Sequence, residues 1–294
     1  MWIWRNFLPP WRKKSLNVWS MAKGLGDELM ALAVLQALAQ KSPSCNITFY
    51  SRYTKLFGPG AGSLRLVSFS EKEPPSTSLV LRYLPKHSRP LVEQMACELG
   101  VRLPEYPVLL PRRTGLDVHR EWPLGGKVIV IQTMSSAWTP NKQWPEEHWK
   151  GLVTLLPLDM DVVEVGQQSI FTSRPKHPRY RCLVGKTSLI EYAAAIQEAS
   201  VFVGPVSSGM HLAHAFKVPS VVIVGGYEAG NYPYPLVRQV TATVACSPCW
   251  LTTQCPYERK CLVEIDPRLI VSHVLEVVKK LQTHSIAREE DAGR

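Results

Sequence analysis

VFVGPVSSGMHLAHAFKVPSVVIVGG, residues 201–226, decides the fold. VFVGP is a short apolar run of strand type, SSGMHLAHAFK (207–217) reads as a helix, and SVVIVGG (220–226) returns as a strand. Strand, small-residue turn, helix and strand in 26 residues make one unit of a parallel sheet. The turn itself, Gly204-Pro205-Val206-Ser207-Ser208-Gly209-Met210-His211, puts small residues and hydroxyls at a helix start. Unbonded N–H groups there, with up to about half a positive charge, favour an anion. His211 falls in the first helical turn; the plainer reading is a packed core histidine, and for His214 that reading is preferred.

The alternation extends in both directions. KVIVIQT (127–133), DVVEVG (161–166), LNVWSM (16–21), NITFYSR (46–52) and SLVLRYL (78–84) read as strands. ELMALAVLQALAQK (28–41), RPLVEQMACELGV (89–101), EEHWKGLVTLLP, SLIEYAAAIQEAS (188–200) with Ser188 as cap, and DPRLIVSHVLEVVKKLQ (266–282) read as helices. Prolines 104, 107, 111 and 123 followed by Gly125 and Gly126 mark a linker at about 102–126. Four segments follow from this: a Trp-rich basic arm (1–15), a first parallel-sheet domain (16–122), a second (123–282) and a disordered tail (283–294). The predicted fold class is α/β, two doubly wound units whose parallel sheets face each other across a cleft, with ligands at strand-to-helix turns.

Length and composition agree. The chain has 294 residues, 45% apolar and 20% charged, which excludes a disordered chain, a collagen-like fibre or a small disulfide-stapled scaffold. A net charge of +10 suits anionic partners such as phosphorylated small molecules, glycolipids or a phospholipid surface. Nucleic acid is disfavoured because the basic residues are scattered rather than striped. No run is apolar enough to span a membrane, and the order of the start, MWIWRNFLPPWRKK, is wrong for a signal peptide, so the expected location is cytoplasmic. Trp2, Trp4, Phe7 and Trp11 beside Arg12, Lys13 and Lys14 suit a peripheral contact with the inner face of a membrane. The plainer reading has the tryptophans packed on the domain.

Three further turns carry chemistry. In Lys23-Gly24-Leu25-Gly26-Asp27 two glycines let backbone approach a ligand, and Asp27 sits in the first helical turn, where it could equally be a cap. QTMSSAWTPNKQWP (132–145) offers the hydroxyls of Thr133, Ser135, Ser136 and Thr139 and the cation Lys142, groups that suit a phosphate or a solvated loop. Finally, Cys246, Cys249, Cys255 and Cys261 form C-x2-C-x5-C-x5-C. The first spacing is that of a metal knuckle, and four thiolates complete a tetrahedron for zinc or iron; disulfides and free thiols stay open.

In this order the G-x-G-D turn, the K-x-W-P of 142–145, the G-x-x-S-x-x-M-H-L-A helix start and CSPCWLTTQC…C resemble glycosyltransferase family 9, the heptosyltransferases. Lys186-Thr187-Ser188-Leu189 and Pro219 fit the same run. The resemblance implies a GT-B fold of two Rossmann-like domains. It also implies metal-independent, inverting transfer of a sugar, heptose or related, from a nucleotide-diphosphate sugar to a glycan or lipopolysaccharide-type acceptor. No catalytic cofactor is expected. Asp27 then matches the general base, with Gly24 and Gly26 in its turn. Lys142, Ser207, Ser208, Gly209, Met210 and His211 match the groups at the donor phosphates. The cysteine cluster would hold a structural metal whose removal lowers stability before donor affinity. One departure stands out. The family usually reads G-N-D-S-G-P-M-H in this turn, with the Asp on the donor sugar's hydroxyls; here Val206 occupies that place and cannot accept their hydrogen bonds. Gln167, Gln168 or Glu228 are candidates to replace it. The alternatives are a relative that has lost turnover and only binds nucleotide sugars or glycans, and a sugar-nucleotide epimerase of the same fold.

Overall fold

The computed structural model describes residues 14–70, 72–84, 89–103, 121–123, 126–135, 139–228, 232 and 234–292. Residues 1–13 of the Trp-rich arm, most of the linker, and Ser136 therefore lie outside the described residues. The chain forms two compact units, the first within Met1–Leu110 and Gly230–Pro233, the second within Pro111–Ala229 and Tyr234–Arg294.

In the first unit β1 (Ser15–Ser20), α1 (Leu25–Lys41), β2 (Asn46–Ser51), α2 (Thr54–Phe57), β3 (Gly60–Ala61), β4 (Leu64–Ser68), β5 (Leu79–Leu81) and α3 (Leu91–Glu98) follow one another. The sheet order is β3-β4-β2-β1-β5, parallel except for the two-residue edge strand β3. Val18, Ile47 and Phe49 from the sheet and Leu29, Leu32, Leu35 and Leu38 from α1 are buried together with Met95 of α3. Helix α1 is apolar on most of its circumference, as a helix enclosed by its domain must be.

The second unit runs β6 (Val128–Ile131), a 3₁₀ turn (Pro140–Lys142), α4 (Glu146–Leu155), β7 (Asp161–Glu164), β8 (Tyr180–Cys182), α5 (Leu189–Gln197), β9 (Val201–Pro205), α6 (Ser208–Ala215), β10 (Ser220–Ile223), β11 (Val237–Val240), α7 (Lys260–Val263) and α8 (Pro267–Ala292). Its six strands, in the order β11-β10-β9-β6-β7-β8, are all parallel. Counted within the unit this is 3-2-1-4-5-6, the order of dinucleotide-binding folds, and the direction of winding reverses between β6 and β9. In the first unit the corresponding reversal falls between β1 and β5.

Local signals explain most boundaries. Ser188 accepts from Glu191 N–H while the Glu191 carboxylate takes the Ser188 N–H, a reciprocal cap for α5. In α8, Ile270, Val274 and Val278, spaced four apart, are buried. This helix continues to Ala292, past the predicted end at 282. The tail's Ile286, Ala287, Arg288, Glu289 and Glu290 are good helix formers with no proline or glycine among them, which accounts for the difference. Strands β3, β4, β8 and β11 carry no sequence signal of their own. Each is short, and β8 is three residues of mixed polarity.

Candidate functional site

In the first unit the reversal point is occupied by the Lys23–Asp27 turn. Gly24 is the N-cap of α1 in extended conformation, and its own side chain position is taken: a Cβ there would lie 2.5 Å from Asp27 Oδ2. The carboxylate thus folds back over a glycine. Tyr83, just beyond β5, donates its hydroxyl to Asp27 Oδ1 at 2.6 Å. Asp27 itself is only half-buried. Gly26 lies within the first turn of α1. Beside it Glu28 is fully buried and accepts from Ser51 Oγ at 2.5 Å and from Arg52 at 2.7 Å (Nη1) and 3.1 Å (backbone N). Burial pushes the Glu28 carboxyl above the ordinary range despite those donors. It fixes the start of α1 to the end of β2, and Tyr53 donates to the Lys23 carbonyl at 2.9 Å, holding the turn from the other side.

At the reversal point of the second unit, α6 begins on Ser207. Although this residue stands at the N-cap, its hydroxyl makes no cap; it donates to Gln132 Oε1 at 3.2 Å. The first-turn N–H groups of Ser208, Gly209 and Met210 have no carbonyl to bond within the helix. Gln132 gathers this corner, also accepting from Tyr192 Oη at 2.8 Å and donating to the Met134 carbonyl at 2.8 Å. The Ser208 hydroxyl pairs with Tyr192 at 3.2 Å. A Cβ on Gly209 would lie 2.5 Å from Gln132 Oε1 and from Phe202 Cζ, so only glycine lets the helix start this close to the sheet. Met210 is fully buried, packing the start of α6 onto the sheet.

His211 is buried, with Nδ1 2.7 Å from Tyr234 Oη. Burial first, then the neighbouring His214 and Lys142, lower its pKa to about 3. It is a neutral imidazole at physiological pH. His214 stacks on the Tyr234 ring at 4.0 Å and 4°, a packed histidine as expected.

Lys142 ends the 3₁₀ turn. Its Nζ lies 2.5 Å from Glu228 Oε1 and 5.2 Å from the Tyr227 ring centroid, with both charged side chains largely buried. Lys142 is therefore not the solvated loop cation of the plainer reading. Two of the four hydroxyls read as phosphate donors, those of Thr133 and Thr139, are instead engaged within the fold. Thr133 donates to Glu164 at 2.7 Å, and Thr139 caps Asn141 while donating to the Leu251 carbonyl at 3.1 Å. Glu164, fully buried at the end of β7, also accepts from Ser169 at 2.7 Å and from Tyr180. Of the remaining K-x-W-P residues, Trp144 is buried in the core with Nε1 donating to Ile265 O at 3.2 Å, and Pro145 caps α4.

The cysteine loop packs against this turn. Asn141 donates to the carbonyls of Leu251 and Thr253 at 2.7 and 2.8 Å, and Arg259 to that of Gln143 at 2.9 Å. Cys246, Cys249, Cys255 and Cys261 line one cavity, with Gly226 at its wall. Gly226 N–H donates to Cys261 Sγ at 3.1 Å and its carbonyl accepts from Cys249 N at 2.7 Å. Cys246, Cys249, Cys255 and Cys261 form no disulfide with one another, so that alternative is not realised. Among the described residues no three potential ligands converge as a formed metal site.

Two parallel-sheet units, each with polar groups gathered where its winding reverses, place the chain in the GT-B fold class. Residues 84–260 match the model of glycosyltransferase family 9 (heptosyltransferase), and the chain belongs to that family, a family of glycosyltransferases. No curated protein matches its sequence. Among solved structures, the bacterial iron-containing dodecameric glycosyltransferase TibC from enterotoxigenic E. coli H10407 is similar with a TM-score of 0.73 at 18% identity, covering 92% of this chain and 77% of TibC. The E. coli ADP-heptose lipopolysaccharide heptosyltransferase II gives 0.66 at 15% identity, over 91% of this chain and 99% of the other. A family 9 glycosyltransferase from Veillonella parvula DSM 2008 gives 0.66 at 13%, over 92% and 99%. TibC has also been solved with ADP-D-β-D-heptose, and E. coli heptosyltransferase WaaC with ADP.

Tyr83, Gln132, Tyr192 and Tyr234 escape sequence reasoning. Each is a common residue in an unremarkable context, and only the folded packing of segments distant in sequence brings it to the turn it serves.

Proposed function

We propose that the protein transfers a sugar, heptose or related, from a nucleotide-diphosphate sugar to a hydroxyl of a cell-envelope glycan or lipopolysaccharide-type acceptor, with inversion. The observation that carries this reading is the start of α6. Its cap residue turns away, its first-turn amides have no partner within the helix, and the largely buried Lys142 lies close enough to lower the His211 pKa. The diphosphate would sit on the amides of Ser208 to Met210 and on Lys142, and neutral His211 would add a hydrogen bond without adding charge. Asp27, held by Tyr83, would take the acceptor's proton. The acceptor oxygen attacks the anomeric carbon, the bond to the diphosphate oxygen breaks, and its electron pair leaves with the nucleotide, stabilised by Lys142 and the helix start.

The four cysteines suit a structural zinc or iron. They supply four thiol donors on one cavity, and Gly226 N–H already points at Cys261 Sγ. TibC is iron-containing. The metal would cross-link the loop that braces Lys142 and would take no part in transfer.

No described helix is long and apolar enough to cross a membrane; we place the enzyme in the cytoplasm, with the basic, Trp-rich start touching the inner face of the membrane. A second reading, nucleotide-sugar binding without turnover, is favoured by Val206 and by the pairing of Lys142 with Glu228. Incubation of purified protein with donor and envelope glycolipid extract separates the two: transfer of label to the extract supports the enzyme, and donor binding without transfer supports the binder.

A further inference from the structure

Glu228 is the acid of the second unit that the transfer reaction leaves without a role. It is 5% exposed, with its carboxylate on Lys142. Burying a carboxylate is costly, and a second anion beside the lysine of a diphosphate site opposes the ligand. Such a group persists where it has something to accept from. The adjoining strands β9 and β10 are in register with Ile223 opposite Pro205, so the segment 224–228 leaves the sheet beside the 206–211 turn. That turn presents Val206, which is buried and accepts nothing.

We propose that Glu228 recognises the transferred sugar of the donor: the diphosphate draws Lys142 away, and the freed carboxylate oxygens accept hydrogen bonds from the sugar's hydroxyls. This rests on the donor-site reading above and extends it to specificity. A carboxylate has no proton to donate and matches a polyol, which can donate from several positions. The other candidates fail on placement. Gln167 and Gln168 are exposed in the turn after β7, on the opposite side of β6 from β9. Glu164 is already occupied by three hydroxyls. The exchange has a consequence for turnover. A nucleoside diphosphate without its sugar takes Lys142 from Glu228 and offers nothing in return, so the spent product binds more weakly than the donor and leaves.

Calorimetric titration of the full chain with ADP and with ADP-D-β-D-heptose tests this. The wild type should bind the sugar nucleotide about tenfold or more tightly than ADP, since a site built to bond hydroxyls rejects ligands lacking them. In Glu228→Gln the preference should collapse, ADP-heptose weakening about tenfold while ADP holds or tightens. Glu228→Asp, which keeps the charge, should retain part of the preference. Equal effects of Glu228→Gln on both ligands would make Glu228 only the counterion of Lys142 and overturn the proposal. If Glu228→Gln does not fold, Glu228→Asp and the wild-type ratio decide, and equal affinity of the wild type for the two ligands overturns it. Failure of the wild type to bind either ligand rules out an adenosine diphosphate sugar as the donor that Glu228 reads and overturns the proposal in that form, a result distinct from binding without preference.

Discussion

Asp27 and His211 carry the sharpest consequences at the scale of single residues. Replacing Asp27 by alanine should lower transfer about 10²–10⁴-fold, the range of general-base catalysis, while donor affinity and melting temperature stay near wild type. Retention of more than about a tenth of the activity would remove it as the base. Tyr83→Phe deletes one hydrogen bond to that carboxylate and should lower kcat about tenfold with little change in the KM for acceptor, consistent with the ~1.5–3 kcal/mol of bonds to charged groups. His211 has the opposite character. Its folded pKa lies near 3, below the unfolded value of 6.5, so between those two values the unfolded chain binds the extra proton. Stability from keeping His211 neutral is complete above pH 6.5 and is lost as pH falls toward 3, at a slope approaching about 1.4 kcal/mol per pH unit. Melting temperature measured from pH 7 to 5 should therefore fall less steeply in His211→Gln than in the wild type. Parallel curves would contradict the buried neutral histidine.

At the scale of elements, two helix starts depend on glycine for different reasons. Gly24→Ala sets a methyl against Asp27 Oδ2, the far end of a flexible side chain. The carboxylate can move aside, so the variant should fold with nearly wild-type melting and lose transfer by displacement of the base. Gly209→Ala presses instead on the Phe202 ring and the Gln132 carboxamide, both fixed in the packed corner below α6. It should cost about 1–3 kcal/mol in stability and weaken donor binding as the helix start lifts from the sheet. Paired thermal melts and donor titrations read both variants. A Gly24→Ala protein with full activity would mean the carboxylate does not need its seat.

These elements also show where the sequence is legible. The turn at 204–211 can be read because its signals are local: glycine, serine, and an abrupt change from strand to helix composition. The same holds for Lys23–Asp27 and for the cap at Ser188. What cannot be read is pairing across the chain. Nothing near Lys142 announces Glu228, nothing near Asp27 announces Tyr83, and Thr133 looks like a phosphate ligand until β7 brings Glu164 beside it. Each contact exists because parallel strands distant in sequence lie in register. The cysteine cluster is intermediate. Its spacing is plain, but its position against the Lys142 turn follows only from Asn141 reaching the Leu251 and Thr253 carbonyls.

For the whole molecule, that contact changes what a metal would do. The sequence places the cluster apart from the phosphate turn and predicts that its loss affects stability first. With the loop bonded to the residue before Lys142, stability and donor affinity should fall together. Cys249→Ser, or dialysis against chelator, should lower melting temperature by several degrees and weaken donor binding several-fold, and elemental analysis of the untreated protein should find about one zinc or iron per chain. Metal-free protein with unchanged melting in Cys249→Ser would leave the cysteines as ordinary thiols.

Everything proposed for transfer rests on the second unit holding a nucleotide-diphosphate sugar at the start of α6. Its most direct test is a thermal-shift screen against ADP-, GDP-, UDP- and dTDP-sugars, with Lys142→Met as control. A ligand bound only by the folded state at about 100 times its dissociation constant adds about 2.7 kcal/mol, enough to raise the melting temperature visibly. One nucleotide class should stabilise the wild type, and Lys142→Met should abolish the shift. Stabilisation by none of the four, or an undiminished shift in Lys142→Met, would contradict it.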